Sequence, residues 1–349
     1  MNKRTWIRWP DSFSDNRKSK IQNRKWAGVF AIVIALTVCG ARTEAQQPKN
    51  VPRIGVLVGG SASSDSARID ALRQSLHELG YVEGKNIVIE YRYAEAKVDR
   101  LSGFAAELVR TKVDLIVTAG PAATGAAKEA TNTIPVVMAQ VNDPIGAGFV
   151  ANLARPGGNI TGMSVMAPEL SGKQLEVLKE VVPRLSRVAV LGTSTQPGNA
   201  ETLKETEVAA RGLKIQLRYF DIGSAKDLEA AFQAASKEHA DALLPLSSPV
   251  LFVNRTQIVE LATKNRLPAI YYATEYVEDG GLMTYAPNVL ELWRRAASHV
   301  DKILKGAKPA DLPVEQPTKF EFIINLKAAK QIGLTILPTV LARADRVIK

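Results

Sequence analysis

From Val51 onward the chain repeats one pattern. A short run rich in Val, Ile and Leu meets a Gly- or Ser-rich break, and a stretch with apolar residues every third or fourth position follows. Residues 51–58 run into Gly59-Gly60; then Ile69, Leu72, Leu76 and Leu79 mark one helix face, closed by Gly80. Aliphatic runs bounded by Gly are what strands buried on both faces look like, and such strands belong to parallel sheets covered by helices. The pattern predicts further strands over 86–93, 113–118 and 134–139. A second series has strands over 187–191, 214–220, 240–246, 267–272 and 280–285, and helices over 199–211, 225–237, 252–264 and 290–304. The strand-like residues 319–326 and a helical stretch from Thr339 close the chain. The fold class is α/β, with parallel sheets in two similar lobes.

Between the two series lies Asp143-Pro-Ile-Gly-Ala-Gly-Phe149, running on through Arg155-Pro-Gly-Gly158 to Gly162. Proline lacks an N–H and paired glycines free the backbone, so this passage is no helix interior. Composition alone reads it equally as an inert linker or as the wall of a two-lobed cleft, and the expectation is that the chain passes here from one lobe to the other.

The first 45 residues differ from the rest. A basic segment, 1–25, precedes the uncharged run 26–41, whose sixteen residues fall short of the ~20 that span a bilayer. Basic, apolar and small residues in that order spell a secretory signal, with cleavage expected before Gln46; a retained membrane anchor is the competing reading. The net charge of +10 is largely this segment. It holds nine Lys/Arg and three Asp/Glu, which leaves 36 against 32, or +4, for the remainder. That surface gives no reason to expect nucleic acid. The single cysteine, Cys39, lies in the same segment, so the exported chain has no disulfide framework.

In open parallel sheets ligands bind beyond the carboxyl ends of the strands. Those ends supply Ser61, Ser63, Ser64, Gly120, Ala122, Thr195 and Ser247, whose hydroxyls and helix N-terminal N–H groups suit a carboxylate. The competing reading of each Ser and Thr is a helix cap. Tyr271, Tyr272 and Tyr285 are candidates to cover a flat or apolar ligand, against ordinary packing at the lobe junction. Asp143 and Glu275 are the carboxylates that would meet a ligand ammonium. No G-x-G-x-x-G fingerprint, Walker A segment, G-x-S-x-G elbow or Cys/His cluster occurs, so neither a cofactor nor a metal is expected, nor an enzyme. His77, His239 and His299 are expected on helix surfaces.

Four segments carry a family resemblance: GYVEGKNIVIEYRYAE from Gly80, DPIGAGFVANLARPGGNITG from Asp143, GGLMTYAPN from Gly280, and VDKILKGAKPADLPVEQPTKFEFIINLKAAKQIGL from Val300. The chain resembles the ABC-transporter substrate-binding proteins of the tryptophan/tyrosine type over nearly all of 53–348. It departs from them at Tyr271-Tyr272-Ala273 and Ala286. The resemblance implies a type I periplasmic-binding-protein fold, two Rossmann-like lobes joined by a three-strand hinge. It divides the chain into a signal peptide over 1–45, a first lobe of 46–162 with 286–312, and a second of 163–285 with 313–349. It further implies a monomeric periplasmic receptor that delivers a small organic ligand to a membrane permease, the ligand an aromatic amino acid in some relatives. The alternative is a ligand-sensing partner of a membrane kinase or chemoreceptor; a repressor effector domain fits less well, lacking a helix-turn-helix.

Overall fold

The structure, a computed structural model, describes residues 51–349; the signal reading falls outside them. The first sheet is all parallel, in the order β2-β1-β3-β4-β5, from β1 (Arg53–Val58), β2 (Val88–Tyr93), β3 (Leu115–Ala119), β4 (Val136–Val141) and β5 (Ile160–Ser164). Successive strand residues face opposite sides, and both sides are apolar. Val56, Val117 and Val137 pack under α1 (Ser66–Glu78), while Leu57, Ile116 and Val136 pack under α2 (Arg100–Arg110) and α3 (Gly120–Ala130). That is why β1, β3 and β4 read as largely aliphatic runs, whereas the edge strand β2 alternates with Glu90 and Arg92.

The second lobe holds β6 (Arg187–Gly192), β7 (Gln216–Asp221) and β8 (Ala242–Pro245) in the order β7-β6-β8. A parallel bridge from Leu243 to Ala269 joins them to β9 (Ile270–Tyr271), β10 (Met283–Pro287), β11 (Phe320–Asn325) and β12 (Arg346–Ile348). One pair, β10 with β11, is antiparallel. Its helices are α4 (Ala167–Val181), α5 (Asn199–Leu213), α6 (Lys226–Lys237), α7 (Pro249–Val253), α8 (Arg255–Lys264) and α9 (Thr274–Glu278). After β10, α10 (Val289–Leu304) returns to the first sheet and buries Trp293, Ala296, Ala297 and Val300 against it. The short α11 (Leu326–Gln331) and α12 (Pro338–Leu341) follow β11.

Several expectations are corrected. The helix expected over 252–264 is two, broken at Asn254. The terminal helical stretch is the four-residue α12, and β12 follows it. The Pro/Gly passage does not carry the chain between lobes, because β5 beyond it still pairs with β4; the crossing comes after Ser164. There the chain runs beside a second crossing segment: Glu315 N–H donates to the Gly162 carbonyl at 2.8 Å and Ser164 N–H to the Glu315 carbonyl at 2.9 Å. His239 lies beyond the end of α6. His299 is not a surface residue; it is 1% exposed, with Nε2 3.1 Å from the Pro313 carbonyl of that second segment.

Gly162 makes this crossing possible. Its φ is +133°, and a Cβ there would overlap the Met138 carbonyl of the neighbouring strand. Gly162→Ala is therefore expected to cost about 3 kcal/mol through strain and overlap together. The check is thermal unfolding, where the midpoint should fall by several degrees.

Candidate ligand-binding cleft

The carboxyl ends of the strands meet between the lobes. β1 delivers Gly59-Gly60, β3 delivers Gly120-Pro121, β4 delivers Gln140 and Asn142, and β8 delivers Leu246 to Ser248. These ends enclose two adjoining hollows that share Arg68, Gln140, Ser247 and Tyr272. The larger holds about 580 Å³ of empty space when the open solvent at its mouth is counted. Its lining mixes apolar residues, among them Val165, Leu170, Leu246, Pro287 and Val289, with the polar Gln140, Asn142, Gln174 and Thr202. The lobes approach closely here. A Cβ on Gly59 would stand 2.6 Å from the Pro249 ring, so only glycine fits.

The electrostatic centre is Arg68, on α1. Its Nη2 and Nε lie 2.8 and 2.9 Å from Glu275 Oε1 on α9, across the cleft. Its Nη1 is 3.5 Å from Asp65, and the guanidinium carbon sits 3.8 Å over the centre of the Phe252 ring. Burial works against the Arg68 charge, but Glu275 and then Asp65 outweigh it, and the guanidinium holds its proton more tightly than usual. For Asp65 the balance reverses: burial raises its carboxyl above the ordinary 3.8, outweighing Arg68 and the Ser64 hydroxyl.

The structure separates the residues singled out in the sequence. Gly120, Ser247 and Tyr272 line the hollows. The Tyr272 hydroxyl is 3.4 Å from the Ser248 carbonyl and 3.2 Å from the Tyr276 hydroxyl, and burial pushes its pKa up to about 12. Ser61, Ser63 and Ser64 bond one another at the start of α1, and Ser64 donates to Asp65 at 3.0 Å, so they brace that carboxylate from outside the hollows. Ala122 is packed in the core of the first lobe. Asp143 closes its own turn, accepting from the N–H groups of Ile145 and Gly146 at 3.2 and 2.8 Å. Thr195 borders a separate surface groove with Lys97 and Asn254. Tyr271 is 1% exposed and stacked on Tyr276 at 4.7 Å. Tyr285 stacks on Phe320 at 6.0 Å, and its backbone carbonyl accepts from Gln174. Glu275 is engaged by Arg68 rather than left free for a ligand.

The sequence does not single out Arg68 or Gln174, and of the strand end 140–143 it singles out Asp143 rather than Gln140 or Asn142. A signal existed for two of them: Arg68 and Gln174 stand among the buried apolar residues of their helices, beside Ile69 and Leu72 and beside Leu175 and Leu178. A charge or amide on such a face needs a partner. Among the described residues no group of His, Cys, Asp or Glu could hold a metal ion, and no helix is long and apolar enough to cross a membrane.

Comparison with known proteins places this architecture. The family model described as ABC transporter substrate binding protein matches residues 53–348. A tyrosine-binding protein from Clostridioides difficile is 26% identical over 295 residues, 84% of this chain and 83% of that protein. Among solved structures, a conserved domain protein from Vibrio cholerae superposes with a TM-score of 0.81 at 27% identity, over 85% of this chain and all of that one. An ABC domain from Streptococcus pneumonia in complex with L-Trp gives 0.78 at 28% identity, over 84% of this chain and all of that one.

Asp65 yields a pH signature. The folded chain holds its proton more tightly than the unfolded chain, so its ionised form opposes folding. Its contribution to stability falls as pH rises from the ordinary 3.8 through the raised folded value. Asp65→Asn should remove that part of the slope. Melting curves of the wild type and the variant across acidic pH are expected to converge at the low end and separate, variant higher, as pH rises.

Proposed function

The chain belongs to the ABC transporter substrate-binding protein family, and from that premise we propose that it is an exported solute receptor which closes on a small organic ligand and presents it to a membrane permease. Proteins of this family bind small ligands and are not enzymes. The observation that carries the reading is the hollow at the lobe boundary, lined by apolar and polar side chains together. The apolar part suits an aromatic or aliphatic side chain, with the Tyr272 ring beside it. At the polar end Gln140, Asn142 and Gln174 supply the amide groups that would meet the charged ends of an amino acid, in place of Asp143 or Glu275. An aromatic amino acid satisfies both ends, and the tyrosine-binding relative and the L-Trp complex favour the same ligand class. Residues 1–45 would act as the export signal and the mature receptor would work as a periplasmic monomer. Its lobes would divide close to the bounds expected from the sequence, with the first crossing after Ser164 rather than Gly162 and the return after Pro287.

Thermal-shift titration of residues 46–349 with L-tyrosine and L-tryptophan tests this. Ligand at about 100 times its dissociation constant adds ~2.7 kcal/mol and should raise the melting point by several degrees. A flat response to amino acids, with a shift for another small organic compound, would remove the aromatic amino acid and keep the receptor. No shift with any small molecule would count against the receptor itself.

A further inference from the structure

Two glutamines line the larger hollow, Gln140 from the first lobe and Gln174 from the second, and each has one end tied to a group of fixed polarity. Gln140, at the end of β4, takes the Trp293 indole N–H on Oε1 at 3.1 Å. Indole only donates, so the Gln140 oxygen must point to Trp293 and the NH2 away from it. Gln174, on α4, donates its Nε2 to the Tyr285 carbonyl at 2.9 Å. A carbonyl only accepts, so the Gln174 oxygen is the free end. Amide orientation is otherwise an assignment; here the partners decide it. Both side chains line the hollow, and no hydrogen bond among the described residues uses Gln140 Nε2 or Gln174 Oε1. Arg68 is already engaged by Glu275 and Asp65.

Resting on the receptor reading, we infer that Gln140 and Gln174 read the ligand's hydrogen-bond polarity. The first lobe offers a donor that selects a ligand acceptor, a carboxylate or carbonyl oxygen. The second offers an acceptor that selects an N–H or O–H. Trp293, which touches no ligand, is the positioning residue that keeps the Gln140 donor turned inward. The site therefore takes a compound with an acceptor and a donor on opposite sides, and rejects isosteres in which the two are exchanged. An unpaired buried polar group is what makes such rejection strong.

The test is calorimetric titration of the exported chain, residues 46–349, with L-tyrosine and L-tryptophan. Gln140→Met deletes the amide, whereas Gln140→Glu keeps an acceptor for Trp293 and turns the inward donor into an acceptor. Far-ultraviolet circular dichroism confirms that each variant is folded. The expected result is about tenfold weaker binding for Gln140→Met and a larger loss for Gln140→Glu. Trp293→Phe frees the amide to turn over, so Gln140→Glu should cost less in that background; a purely structural Trp293 would give additive losses. If the wild type binds but Gln140→Glu binds at least as well as Gln140→Met, the polarity assignment is overturned and the receptor reading survives. If the wild type binds neither probe, the aromatic amino acid reading falls and this inference with it.

Discussion

The arrangement of the cleft depends on one buried cation held by two carboxylates. Arg68 reaches from α1 of the first lobe to Glu275 on α9 of the second, with Asp65 behind it and the Phe252 ring beneath. Taking these charges out of water costs several kcal/mol per ion, and that cost is met only while the geometry is complete. When the lobes part, Arg68 loses Glu275 but regains water. The pair therefore adds little to the stability of either lobe, while it ties the closed position to one register. A hydrophobic contact slides; a guanidinium bonded to a particular carboxylate oxygen does not.

Around this pair the fold provides a rigid frame. Both sheets are aliphatic on their two faces and stand between helix layers, so the strand ends are fixed by cores on either side. The return of α10 to the first sheet is what brings Trp293 beneath Gln140, 153 residues away in sequence. The crossing segments are held by small, specific contacts. Thr161 donates to the Leu312 carbonyl at 2.6 Å, and Arg295 is paired with Glu315 where the two segments run together. Crossings this narrow let the lobes turn as bodies, in keeping with hinge closure around a ligand.

Much of the fold was legible because backbone periodicity is a local property. Four of the five strands of the first sheet announced themselves, and the glycines at strand ends marked the cleft; β5 (Ile160–Ser164) was hidden behind the Pro/Gly passage. Side-chain roles were harder to read, for physical reasons. Tyr271 and Tyr272 are neighbours, and a strand sends neighbours to opposite faces; nothing local says that Tyr271 goes to the core and Tyr272 to the hollow. Asp143 and the serine cluster looked like ligand groups, yet short polar side chains bond their own backbone or one another first. Glu275 drew attention as a carboxylate in need of a partner, and its partner lies 207 residues earlier. The charge on the buried face of α1 could have led to Arg68. No local signal pairs Gln140 with Trp293.

If the lobes close around this hollow and the Arg68–Glu275 pair holds them, the distance between the lobes must respond to ligand and to loss of the pair. Because the only cysteine is Cys39, spin labels can be placed without interference on residues 46–349 carrying Lys97→Cys and Lys226→Cys, one on each lobe beside the outer groove. The label-to-label distance distribution would be recorded with and without L-tyrosine or L-tryptophan, and again after Glu275→Ala. The expected result is a short, narrow distribution with ligand, a broader one without it, and a shift to longer distances in the variant. A distribution that neither ligand nor variant moves would contradict it.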